Sequence, residues 1–430
     1  MSAGLWILVG VFAGLVLLRA PVAHAMFAAG IAYLFATGQD VGLLVDQVLT
    51  SMLTMYVLLA IPMFILAANL MNAATVSERL FGAANAVVGR LRGGLGHVTV
   101  MVTAAFSSMS GSAVSDAAGP GLVSVRMMRQ VGGYPRGFAA AVAAAAATTG
   151  PIIPPSIALV IYALISNSSV GALFLGGIVP GLVMAAAMML VVAIQARRLG
   201  LPRGEAMPLP EVLRALARAV VPMTLPVVLL GGIWGGVFTP TEAAAVAGFY
   251  ALLLGALVYR TIGPRRFAGA VGESLTQSSA VMLLVAGAFI VNYAVTNEQL
   301  ALRFAAMFAE MELGRIGFLL LVAVAFLVLG CFLDISVMLL VFVPVLLPAA
   351  TALGVDLVHF GVVVTVNFMI GMITPPYGVL LFVMSSLTGT PLPEIVRAIW
   401  PFVLALVGVL LLLILVPGTV TWLPTAFGFL

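Results

Sequence analysis

The sequence predicts an all-α polytopic membrane protein built as two inverted repeats, with two re-entrant helical hairpins and two broken helices. Three observations carry that expectation. Hydrophobic residues fill 63% of the 430 positions and charged residues only 7%, with a mean hydropathy of +1.26, whereas soluble domains carry about one quarter charged residues. A shift of 221 residues lays the double proline Pro154-Pro155 on a second one, Pro375-Pro376. The 18 basic residues are all arginine, and they segregate to one side of the membrane only if the two hairpins do not cross it.

Apolar runs of roughly 20 residues recur along the chain, the length a helix needs to cross a bilayer. The alternating ten-residue strands of a membrane barrel are absent. The first run, LWILVGVFAGLVLL (5–18), lacks a basic leader, and the small-residue match Ala23-His24-Ala25 follows it only after an arginine and a proline. It reads as a retained span, not a cleaved signal.

The 221-residue shift also places Gly96 on Gly317, Ser115 on Ser336, Gly133 on Gly354, Gly150 on Gly371 and Pro180 on Pro401. Two short amphipathic segments, SERLFGAANAVVGRL (77–91) and EQLALRFAAMFAEME (298–312), coincide as well. Glycine and proline fix backbone geometry, so a chance overlay of apolar segments would not align them. The first repeat is read as 1–200, with scaffold helices, an arm helix, a hairpin at 95–131 and a broken helix at 137–166. The second is read as 220–430, with an arm helix at 298–312, a hairpin at 317–351 and a broken helix at 359–387. Between them, 201–219 is read as a basic cytoplasmic linker with an interfacial helix. Within the second repeat, FTPTEAAAVAGFYA (238–251) reads as a helix start: Thr239 as cap, Pro240 in first position and Glu242 completing a capping box.

With both hairpins re-entrant and both double-proline segments crossing, the count is ten crossings with the termini outside. Sixteen arginines then lie inside, and only Arg303 and Arg315 lie outside, among Glu298, Glu310 and Glu312. Making either hairpin a crossing would move every later arginine to the other side. On this count the hairpins open from opposite sides, so the repeats are inverted, a recurring plan of secondary transporters.

The basic balance, with pI near 9.6, is thus a topology signal and implies a lipid bilayer, with no nucleic acid as partner. The single Cys331 excludes an intrachain disulfide, and His24, His97 and His359 are scattered without ligand spacing and read as packing residues. No catalytic triad, phosphate loop or zinc motif can be assembled, so neither an enzyme nor an organic cofactor is expected.

A broken span exposes carbonyls at the end of one half-helix and N–H groups at the start of the next. Such backbone persists at membrane depth only when buried in protein or facing a water-filled cavity. Carbonyls suit Na⁺, and half-helix N-termini attract anions. GPIIPPSIALVIY (150–162) and GMITPPYGVLLFV (371–383) therefore read as ion-site breaks. Thr148, Thr149 and Ser156 can add hydroxyls to the first, and Asn367 and Thr374 can add side-chain oxygens to the second. The hairpin tip FSSMSGSAVSDAAGPG (106–121) packs five serines and an aspartate into an apolar context, and the partner tip GCFLDISV (330–337) holds Asp334 and Ser336. Serine and glycine N–H and hydroxyl groups can hold a substrate carboxylate. Asp116 and Asp334, acidic at membrane depth, are functional candidates. Each is read as capping its returning helix, coordinating a cation, or carrying a proton. Gly119-Pro120-Gly121 reads as a helix-start device.

With those residues in hand, the chain resembles the large membrane subunit of tripartite ATP-independent periplasmic (TRAP) transporters, of the DctM type. The resemblance runs through IPMFILAANLM, SGSAVSDAAG, TTGPIIPPS, FTPTEAAAVAGFYA, FLDISVMLLVFVPVLLPAA and NFMIGMITPPYGVLLFV, in that order. The first proline-break region departs from the pattern in being rich in alanine. The resemblance implies an elevator-type ion transporter in a bacterial cytoplasmic (inner) membrane. It would import organic acid anions on a Na⁺ gradient, with a soluble periplasmic substrate-binding protein and a small four-helix membrane subunit as separate polypeptides. Carried over by position, substrate contacts fall on Ser110, Gly111, Ser112 and Ser336. Ion contacts fall on Ser107, Ser112, Asp116, Gly150, Pro151 and Pro154, and on Asp334, Asn367, Gly371, Thr374 and Pro375. The rival readings are a stand-alone elevator transporter for dicarboxylates or other anions that needs no binding protein, and an ion channel. An intramembrane enzyme is disfavoured because no paired catalytic groups fall at one depth.

Overall fold

Ser2 opens the first helix, its hydroxyl accepting the Leu5 N–H at 3.1 Å, in a computed structural model that describes residues 2–430. Helices α1 (Ala3–Leu17) and α2 (Val22–Thr37) pack as a pair, and α2 ends at Gly38 in the left-handed conformation, the usual glycine stop. After α3 (Gly42–Thr54), the span α4 (Ala60–Ala73) leads into the arm helix α5 (Val76–Val88).

The first hairpin descends as α6 (Gly94–Ser110) and turns at Gly111, also left-handed. It returns through α7 (Ala113–Asp116) and α8 (Leu122–Gln130). The returning helix starts at Ser112, whose side chain accepts the Ser115 N–H. Two expectations are corrected here. Asp116 is not the cap, and Gly119-Pro120-Gly121 does not start the helix but lies within it, in a widened turn at Ala117–Gly121 between α7 and α8. Pro120 has no N–H to close an ordinary turn, so the helix widens around it.

The first double-proline segment is two helices, α9 (Arg136–Ala147) and α10 (Ile157–Ser166), followed by the long α11 (Val170–Arg198). The second repeat follows the same order. Its scaffold is α12 (Leu209–Trp234), α13 (Pro240–Leu253) and α14 (Pro264–Asn297), and the arm is α15 (Leu300–Glu310). The hairpin comprises α16 (Arg315–Gly330), α17 (Ile335–Val337) and α18 (Val343–Ala352). The second broken segment is α19 (Leu357–Gly371) with α20 (Val379–Thr388), and α21 (Leu392–Leu415) and α22 (Gly418–Ala426) close the chain. Thr239 and Glu242 form the expected capping box at α13. Leu209 already belongs to α12, which runs unbroken from the polar linker into the membrane and packs on α5.

Packing relates the repeats by exchange. Helix α9 packs on α21 of the other repeat, and its counterpart α19 packs on α11. Likewise α20 lies on α9 while α10 lies on α19, and each descending hairpin helix, α6 or α16, packs on its own broken helix. This is the pattern of a pseudo-twofold pair of inverted repeats. Helix α9 sits at the centre because alanine lets neighbours come close: every residue from Gly137 to Ala147 is buried. Among the described residues, seven helices are long and apolar enough to cross a membrane. The halves of the broken segments are shorter, at 10 to 15 residues. At 1.5 Å per residue each half covers about 15–22 Å of a hydrocarbon core of roughly 30 Å, so only a pair can span it.

Candidate functional site

Each hairpin tip is pressed against the break of its own repeat, and glycines permit the approach. A Cβ on Gly111 would stand 2.5 Å from the Pro155 carbonyl oxygen, and one on Gly150 would stand 2.7 Å from Asp116 Oδ2. In the second repeat a Cβ on Gly371 would stand 2.8 Å from the Gly330 backbone, and the Gly378 N–H donates to the Cys331 carbonyl at 3.2 Å. The bonds Pro154–Pro155 and Pro375–Pro376 are both cis.

At the first tip, Asp116 is fully buried. The Ser107 hydroxyl lies 2.6 Å from its Oδ2, and Ser110 donates to its Oδ1. Ser107 also lies 3.1 Å from the Thr149 hydroxyl, which ties the tip to the break. No cation pairs with this carboxylate; the one ion pair among the described residues joins Arg136 and Glu394. Thr148 and Ser156 are turned to local duties. Thr148 donates back to the Ala145 carbonyl, while Ser156 donates to the Pro151 carbonyl and caps α10.

The second tip differs. Asp334 caps α17, accepting the Ser336 N–H at 2.8 Å. Asn367, buried in α19, donates to the Ala323 carbonyl at 2.9 Å, and its Oδ1 has no partner. Thr374 donates to the Ile370 carbonyl in its own segment. An acceptor left unpaired in a buried site is expensive, and an oxygen so placed suits a desolvated cation. Among the described residues no cluster of three or more His, Cys, Asp or Glu side chains could hold a metal; the oxygens gathered at the two junctions are mainly hydroxyl, amide and main-chain ones.

Between the tips lies a cavity of about 390 Å³. Ser110, Gly111, Ser112 and Ser336 all line it, together with Pro151 and Asp334. Ser107, Asp116 and Gly150 stand together directly behind the first tip. Pro154 is buried in the first break; in the second, Gly371 is the buried last residue of α19, and Thr374 and Pro375 follow it, partly exposed. Hydrogen bonds and close contacts join Ser107, Ser112, Asp116, Thr149 and Gly150 into one network, whereas Asp334 and Asn367 make separate bonds.

The part of the lining that comes from α4 and α14 escaped the sequence reading. Its polar residues are Asn69 and Asn72 on α4 and Glu273 and Gln277 on α14. The signal was present, because Glu273 is an acidic residue inside a 34-residue helix that is otherwise apolar enough to span a membrane. The pairing of α4 with α14, some 200 residues apart, carries no local mark. Asn72 reaches across to the first tip, donating to the Ser115 hydroxyl at 3.0 Å.

Comparison with known proteins agrees with this architecture. Residues 9–419 match the family described as "Tripartite ATP-independent periplasmic transporter, DctM component". The sialic acid TRAP transporter large permease protein SiaM of Vibrio cholerae is 37% identical over 417 residues, 96% of this chain and 97% of its own. The C4-dicarboxylate TRAP transporter large permease protein DctM of Pseudomonas aeruginosa is 38% identical over 373 residues, 87% of each chain. Among solved structures, the Alcanivorax borkumensis YdaH transporter aligns with a TM-score of 0.59 at 17% identity, covering 82% of this chain and 84% of its own. That likeness bears on the fold alone.

Proposed function

The chain belongs to the DctM component family of tripartite ATP-independent periplasmic transporters, and from that premise we propose that it is the large permease of a Na⁺-coupled importer of organic acid anions in a bacterial inner membrane. A soluble periplasmic protein delivers the anion to the outer face, and a small four-helix membrane subunit completes the scaffold. The observation that carries the reading is the cavity that gathers Ser110, Gly111, Ser112 and Ser336 from two hairpin tips 226 positions apart at their serines, Ser110 and Ser336.

The carboxylate is held at the tips by hydroxyl and main-chain N–H groups, as no basic side chain lines the cavity. Na⁺ supplies the positive charge that the side chains lack. One ion is held beside Asp116, Ser107 and Thr149 with main-chain oxygens of the first break, and another near the free Asn367 oxygen in the second repeat. Support comes from the buried, unpaired carboxylate and the unpaired amide oxygen. With ions and anion bound, the tips and broken helices move as one body against the scaffold of α4 and α14, in an elevator step. The tight glycine contacts between tip and break support motion of each pair as a unit.

The test is uptake into proteoliposomes that contain both membrane subunits, with the binding protein outside. Accumulation should require a Na⁺ gradient and the binding protein. Uptake that persists without Na⁺ at equal membrane potential would overturn the coupling. Uptake without the binding protein would favour the stand-alone transporter, and single-channel currents would favour a channel.

A further inference from the structure

The linker between the repeats is clasped to the turn that carries the first hairpin, and the clasp sets two arginines side by side. Residues 89–93 join the arm helix α5 to α6, and residues 199–208 join α11 to α12. The two connections meet antiparallel, with Arg92 opposite Arg203. The Gly93 N–H donates to the Pro202 carbonyl at 3.1 Å, so the hydrogen bond flanks the arginine pair. In that register facing Cα atoms stand about 4.5 Å apart and side chains are closest. Gly204 permits the approach, since a Cβ there would stand 2.2 Å from the Gly89 carbonyl oxygen. Arg92 Nε donates to the Leu201 carbonyl at 3.2 Å, which pins the guanidinium and uses one of its five N–H donors.

Like charges directly opposite on paired strands are destabilising, and no carboxylate pairs with either arginine. Arg90 shares the first connection, and Arg197 and Arg198 close the last turn of α11. Glu205 is the one acid in 197–207, and it makes no ion pair. Membrane orientation asks only for arginine on this side; it does not ask for two held face to face. Helices α11 and α12 are both long and apolar enough to cross a membrane, so the connection between them lies at the membrane surface. All five arginines are exposed there. We propose that Arg92 and Arg203 together bind the phosphodiester headgroup of an anionic phospholipid, which fastens the linker to the turn below the first hairpin. Guanidinium forks match phosphate oxygens in pairs, and basic pockets at the cytoplasmic ends of membrane helices suit such headgroups. The site needs neither the coupling ion nor the transported solute, so it stands apart from the transport reading above.

The experiment pairs two measurements on the full chain. Native mass spectrometry reads the preference for phosphatidylglycerol over phosphatidylcholine, and melting is followed in nanodiscs of phosphatidylcholine alone or mixed with phosphatidylglycerol. Phosphatidylglycerol should be preferred and should raise the melting temperature. Arg203→Gln should cut the preference about fivefold, the scale of one basic residue at an anionic surface, and Arg203→Lys should keep most of it. Arg265→Gln removes the same charge from an exposed position at the start of α14, outside the clasp, and should leave the preference unchanged. In phosphatidylcholine alone Arg203→Gln should melt no lower than the unaltered chain, because it relieves a like-charge pair. No preference for phosphatidylglycerol, or an equal loss in Arg265→Gln, would overturn the proposal. So would a lower melting temperature of Arg203→Gln in phosphatidylcholine alone, which would give Arg203 a structural role. Inorganic phosphate that stabilises the chain in phosphatidylcholine as much as phosphatidylglycerol does would assign the pair to a free anion and overturn the lipid.

Discussion

Asp116 and Gly150 are in contact across the junction of the first hairpin and the first broken helix: a Cβ at Gly150 would lie 2.7 Å from Asp116 Oδ2 and 3.0 Å from the Ala113 nitrogen. The neighbours that would have to give way include main chain, which moves only with the whole tip. Gly150→Ala should therefore part the tip from the break, at the 1–3 kcal/mol or so typical of an overpacked core. Na⁺-dependent uptake should be lost or need much more Na⁺, with insertion retained. Gly269→Ala, on α14 where nothing lies within 4 Å of the added methyl, should leave uptake unchanged. Normal Na⁺ dependence in Gly150→Ala would show that this contact does not shape an ion site.

Asp116 itself offers a sharper discrimination. It is buried, it accepts from Ser107 and Ser110, and Ser112 does the capping of α7. If the carboxylate serves a cation, Asp116→Asn should raise the Na⁺ concentration for half-maximal uptake about tenfold or more, the scale of one charge-assisted contact. Thermal stability without Na⁺ should change little or rise, because a buried unpaired charge has been removed. An Na⁺ titration of uptake alongside melting in Na⁺-free buffer separates the outcomes. Lost stability with an unmoved Na⁺ requirement would mark Asp116 as structural.

The architecture was readable because it is written in residues that constrain the main chain. Two double prolines, and glycines in register with them, mark breaks and close approaches that any fold of this chain must honour. Details within a turn were not readable. Ser112 and Asp116 are both good caps in isolation, and only the burial of Asp116 against Ser107 and Ser110 assigns the cap to Ser112. Gly119-Pro120-Gly121 looks like a boundary in sequence, yet the helix absorbs it by widening. The polar lining of Asn69 and Glu273 depends on helices distant in sequence, and periodicity within one helix says nothing of which partner its polar face meets.

Asn367 tests the second repeat. Its NH₂ is held by the Ala323 carbonyl while its Oδ1 is buried and free. Asn367→Leu keeps the bulk and removes the oxygen. The steepness of uptake against Na⁺ should fall, since cooperative steepness is bounded by the number of coupled sites. Asn367→Asp retains an oxygen and should keep the steepness. Equal loss in both variants would point to the Ala323 bond, and hence to packing of α19 on α16, as the role of this side chain.

The last prediction weighs charge against packing at the contact between α9 and α21, where the two repeats interlock. Arg136 and Glu394 form a two-pronged ion pair at 2.6 and 2.7 Å, yet their side chains are 54% and 36% exposed. Exposed pairs contribute little, about 0–1 kcal/mol. Next to it, a Cβ on Gly137 would meet the Glu394 carbonyl oxygen at 2.6 Å and the Glu394 carbonyl carbon at 2.9 Å, and α9 beyond it is buried throughout. Arg136→Gln should thus shift the melting temperature only slightly and leave uptake intact. Gly137→Val should destabilise strongly, because the added carbons push α9 off α21 and disturb the break that α9 positions. A larger loss from Arg136→Gln than from Gly137→Val, in melting of the purified chain, would mean that the ion pair and not the close helix contact holds the repeats together.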